Sequence, residues 1–68
     1  MIANDTELQV TLKRIADFQA QVVLLRKVIA DPTDYRLSAG GFLSEVEKMQ
    51  REVNEYLRQH PADLAASA

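Results

Sequence analysis

The sequence predicts an all-α fold: an antiparallel two-helix hairpin, with helices over about 5–30 and 38–60, that dimerises into a four-helix bundle. Two long segments repeat their apolar residues with a helical period, and a short break containing Pro and Gly separates them. A chain of 68 residues is also too short to build an ample core from one hairpin. No useful stretch alternates with the period of a strand.

The first helix can start at Asn4, Asp5 or Thr6, each a good N-cap, and Thr6 with Gln9 fits a capping box. It should run to about Ala30, because Asp31-Pro32 follows. Proline lacks the amide proton and pushes the preceding residue out of the helical region. A connector over Asp31–Leu37 carries Pro32, Thr33 and Asp34, which favour turns, with room for one helical turn capped by Asp31. Tyr35 lies in this connector, placed to cap the hairpin's end or to meet a partner. Ser38 is the expected cap of the second helix, whose first turn is weakened by Gly40 and Gly41. His60-Pro61 should stop that helix near Gln59. Residues 1–61 therefore form the hairpin, and the small-residue tail 62–68 is expected to be disordered.

The apolar pattern sets the packing. Leu8, Ile15, Val22 and Ile29 recur every seven residues, with Thr11, Phe18 and Leu25 three positions further on. On the second helix Ala39, Val46 and Val53 do the same with Phe42, Met49 and Tyr56, while Leu43 and Leu57 widen the stripe. The predicted helices are of similar length, roughly 35 Å at about 1.5 Å per residue. A short connector makes them antiparallel neighbours, with the two seams as the hairpin core. Val10, Ala16, Ala20, Val23, Leu24 and Val28 lie outside the seam, more apolar surface than one partner helix covers. Contiguous exposed apolar surface usually marks an interaction site, so these residues are the expected oligomer or partner interface.

Composition narrows the function classes. With no cysteine and a single histidine, neither a disulfide framework nor the common structural zinc clusters can supplement the small core, which leaves oligomerisation. The start MIANDTELQ shows no secretory signal, and no apolar run approaches membrane-spanning length, so a cytoplasmic location is expected. The net charge of −2 provides no field for nucleic acid or anionic lipid. Charge is uneven: four basic residues against three acidic through Ala30, then four against seven from Asp31 onward.

Nothing in the sequence assembles into reaction chemistry. In the run Glu45 to Glu55, the pairs Glu47–Arg51, Lys48–Glu52 and Arg51–Glu55 have the four-residue spacing of an ordinary solvated helix face, worth about 0.2 to 0.5 kcal/mol each. His60 near a helix C-terminus suits the helix dipole when protonated, and no Glu three residues away makes it part of a bundle metal site. Gly40-Gly41 lacks the further glycines and lysine of a phosphate loop. No catalytic residue, cofactor or metal is expected. Lys13, Arg14, Arg26 and Lys27 could form a modest positive strip in a dimer, an arrangement that resembles the RNA-binding helical-hairpin dimers controlling plasmid replication. The acidic second helix argues against this alternative.

Thr11, Phe18 and Leu25, with Glu45 to Leu57 and especially Glu52-Val53-Asn54-Glu55-Tyr56, resemble the helical segment ahead of the DNA-binding domain in antitoxins of the host-inhibition-of-growth type. No helix-turn-helix follows Pro61, so the resemblance implies partner binding and not DNA binding. The expected function is thus a non-enzymatic, homodimeric protein–protein interaction module, antitoxin-like in docking on a partner. A small nucleic-acid-binding regulator and a purely structural or adaptor role are the alternatives.

Overall fold

In the computed structural model, which describes residues 1–66, three helices follow in order: α1 (Asp5–Val28), α2 (Pro32–Leu57) and α3 (Pro61–Ala66). Asn4 caps α1. Its extended backbone turns the chain in, and its side-chain oxygen accepts from the Glu7 amide at 2.8 Å. The Thr6–Gln9 box is not used, since Thr6 already lies inside the helix and Asn4 has satisfied the free amide. Asp5 and Glu7 in the first turn, and Arg26 and Lys27 in the last, complement the helix dipole.

The largest departure from expectation is the connector. Residues 32–37 are not a loop, because α2 begins at Pro32 and leaves only residues 29–31 between the helices. Asp31 explains this. Its carboxylate accepts from the Thr33 amide at 2.7 Å and the Asp34 amide at 3.4 Å, while Tyr35 N–H donates to the Asp31 carbonyl at 2.9 Å. Proline at the first helical position loses no hydrogen bond, and its fixed φ is already helical. The Asp-Pro pair that ends α1 therefore also starts α2. Asp31→Ala should destabilise the hairpin by about 1 kcal/mol in urea or thermal unfolding, the usual cost of losing an N-cap.

Both glycines consequently lie inside α2, not in a fraying first turn. Helix α2 ends at Leu57, with Arg58 as cap. His60 is not a dipole-facing residue of that helix. Its Nδ1 accepts from the Ala62 amide at 3.0 Å, and its own amide donates to Asp63 at 3.2 Å, so it caps the short α3. Residues 62–66 of the expected disordered tail are thus helical, while 67 and 68 lie outside the described residues.

The helices pack as an antiparallel hairpin, and among the described residues all packing between elements is between α1 and α2. A Tyr56–Asp5 hydrogen bond and a Phe18–Phe42 ring contact fix the register. The molecule measures 52 × 16 × 12 Å, so it is one helix thick. Its radius of gyration of 15.7 Å exceeds the ~11 Å of a compact domain this long.

The heptad seam forms the core in a graded way. Leu8, Ile15 and Val22 of α1 and Ala39, Val46, Met49 and Val53 of α2 are buried. Phe18, Leu25, Ile29, Phe42 and Tyr56 are half-buried, because one facing helix cannot cover the tips of long side chains. Phe18 and Phe42 meet edge to face, 5.5 Å between centroids at 83°, a favourable geometry for aromatic pairs. Ala39 is fully covered, as a small residue at a close approach of the helices should be. Leu43 and Leu57 do not widen the buried stripe and stand 42% and 61% exposed.

Candidate interaction surface

At the open end of the hairpin, the segment before Asn4 folds back onto α2. Ile2 is buried in the same cluster as Leu8 and Val53, and the Met1 amine lies 3.6 Å from Glu52. Sequence reasoning missed Ile2 because it lies outside both helical repeats. Ile2 stands two residues before the Asn4 cap, and an apolar residue there, one position further out than the usual staple residue and able to reach Leu8 four residues into the helix, was the available signal. Tyr56 O–H donates to Asp5 Oδ1 at 2.5 Å. That bond, with lesser contributions from desolvation and the Asp5 and Glu7 charges, raises the phenol above its usual 10.0. The folded state therefore favours the protonated phenol, and the bond's contribution is present at neutral pH and lost as pH rises through the raised value.

Elsewhere the surface is open. Lys13 pairs with Asp17 at 3.0 Å. The expected Glu47–Arg51, Lys48–Glu52 and Arg51–Glu55 pairs are not within ion-pair distance among the described residues, and these side chains extend into solvent, apart from half-buried Glu52 near the Met1 amine. Arg14, Arg26 and Lys27 are exposed, but the helical period puts Arg14 and Arg26 on opposite flanks of the seam, so the basic residues do not share one strip. Tyr35 is half-buried in the first turn of α2. Among the described residues no cluster of His, Asp and Glu could hold a metal ion, and no polar side chain is buried. No described helix is long and apolar enough to cross a membrane.

All six expected interface residues are exposed: Val10 at 56%, Val23 at 52%, Leu24 at 51% and Val28 at 66%, with Ala16 and Ala20 also open. The helical period distributes them around α1. Ala16 and Val23 lie on one flank of the hairpin, Val10, Leu24 and Val28 on the other, and Ala20 on the back. They do not form one patch.

A difference between the two flanks emerges when α2 is included. In an antiparallel pair, the residues that follow the second apolar position of each heptad flank the seam on the same side in both helices. On α1 these are Asp5, Leu12, Gln19 and Arg26, and on α2 they are Arg36, Leu43, Gln50 and Leu57. Leu12, Leu43 and Leu57 are 41%, 42% and 61% exposed, and Ala16 and Val23 border them. The opposite flank carries Glu7, Arg14, Gln21 and Val28 on α1, with Ser38, Glu45, Glu52 and Gln59 on α2. One flank of the hairpin thus carries three leucines among its eight positions, and the other a single valine.

No protein-family model, curated protein or solved structure matches this chain. Its surface is therefore interpreted from its own geometry.

Proposed function

We propose that this chain is a non-enzymatic helical-hairpin interaction module that self-associates, as a dimer, and acts through the helical surfaces it presents. The observation that carries this reading is the thinness of its core. Among the described residues no large side chain is fully buried, while Leu12, Val23, Leu43 and Leu57 are left in water. Chains below about 70–80 residues need a disulfide, a metal or a partner to supplement such a core, and this chain has no cysteine. Pairing hairpins into a four-helix bundle converts a one-layer molecule into one with an interior.

The resemblance of Thr11, Phe18, Leu25 and Glu45 to Leu57 to the antitoxin segment supports the same mode of action, docking by helix faces, with a protein as the partner. Replacing Val23 and Leu24 together with Glu tests the reading, because both are half-exposed and neither is needed inside the hairpin. The expected result is at least a tenfold weaker self-association in sedimentation velocity with helicity retained. Unchanged association and unchanged partner capture would overturn it.

A further inference from the structure

The leucine-bearing flank also carries enough charge to orient a partner. Resting on the self-association reading above, we propose that two copies of this chain pair antiparallel, loop end against open end, through the flank lined by Leu12, Leu43 and Leu57. Asp5 of each copy then lies opposite Arg26 of the other.

The choice of flank follows from composition. Of its eight seam-bordering positions three are leucines, whereas the other side offers only Val28 among Glu7, Arg14, Glu45 and Glu52. Burying that second side would desolvate carboxylates without assured partners. The size of the face fits as well: helices of 24 and 26 residues are about 36–39 Å long at ~1.5 Å per residue, and with the 16 Å width they present roughly 600 Å², the lower end of what each partner buries in a standard interface. The occupant is a second copy because the deficit is the chain's own. A two-fold interface uses one flank for both halves of the contact; at this register Leu12 and Leu43 face Gln19 and Gln50 of the second copy and Leu57 faces Arg36, so each leucine is covered by the aliphatic stem of a long polar side chain.

The direction follows from the charges at the two ends. The register fixed by the Tyr56–Asp5 bond and the Phe18–Phe42 contact sets Arg36 level with Arg26 beside the loop, and Asp5 level with Leu57 at the open end. Loop-to-loop pairing would bring four arginines together in a partly desolvated contact. Pairing loop end to open end instead places each Asp5 carboxylate across from an Arg26 guanidinium, twice by symmetry, and leaves Arg36 over the neighbouring Leu57. Like-charge juxtaposition is a strong determinant of register and orientation.

A natural chain without cysteine allows a clean test by a single nitroxide on Ala30→Cys, an exposed residue between the helices. Antiparallel pairing puts the two labels at opposite ends of the bundle, about 40 Å apart at ~1.5 Å per residue. A dimer with labels closer than about 20 Å, the reach across adjacent helices, would overturn the antiparallel arrangement while sparing the self-association reading. A monomeric sedimentation mass for the same sample would overturn both. The flank is tested separately. Leu12→Glu with Leu43→Glu should turn the dimer into a helical monomer, and Val10→Glu with Val28→Glu should leave it dimeric. The reverse pattern would overturn the choice of flank.

Discussion

Converting Gly40 and Gly41 to alanine should stabilise the protein by roughly 1–2 kcal/mol in total, since an interior helical glycine costs about 0.5–1 kcal/mol relative to alanine. For a domain of this size that corresponds to a rise of about 4–16 °C in Tm. Both residues sit within α2, neither has a positive φ, and a Cβ added at either meets nothing within 4 Å. The gain comes from the unfolded chain losing freedom that the folded helix never used. Thermal unfolding of the double variant, followed by circular dichroism, measures it directly. A fall in Tm would mean that something outside the hairpin approaches α2 closely enough to need the missing side chains.

The second large effect is expected at the middle of the seam. Ile15 is 7% exposed and belongs to the cluster of Val46, Met49 and Val53, so Ile15→Ala removes buried carbon atoms from the hairpin's core. Such truncations cost about 2–5 kcal/mol in cores that cannot collapse around the gap. The low end applies in a pair of helices free to shift, about 2–3 kcal/mol. Total stability at ~0.05–0.15 kcal/mol per residue is only about 3–10 kcal/mol, so the variant should lose a large fraction of it and unfold at a clearly lower urea concentration than the natural chain. Leu37→Ala is the control, because that side chain is 76% exposed on the face of α2 away from the seam and should change stability by no more than about 0.5 kcal/mol. Equal losses from the two variants in urea titrations would show that the seam is not where the stability lies.

The seam was the most legible feature of the sequence. Buried positions Leu8, Ile15, Val22, Ala39, Val46 and Val53 recur with one heptad period in each helix, and no other element competes for them. Boundaries were harder to read where one residue pair serves two elements. Asp31-Pro32 reads from the first helix as a stop, and only the cap bonds from Thr33 and Asp34 show that it is equally a start. His60 reads similarly as the end of α2, while its ring nitrogen serves α3. The leucine-bearing flank was the least legible, because its residues come from both helices. Leu43 and Leu57 look like extensions of the core stripe until the antiparallel register places them on the same flank as Leu12. Periodicity along one helix cannot show which of its outer residues a second helix will join.

Self-association is the central claim, and sedimentation equilibrium of the natural chain across micromolar concentrations tests it most directly. The account predicts a helical species of twice the 7.6 kDa chain mass. A fully helical, cooperatively unfolding species that stays at 7.6 kDa throughout would contradict it.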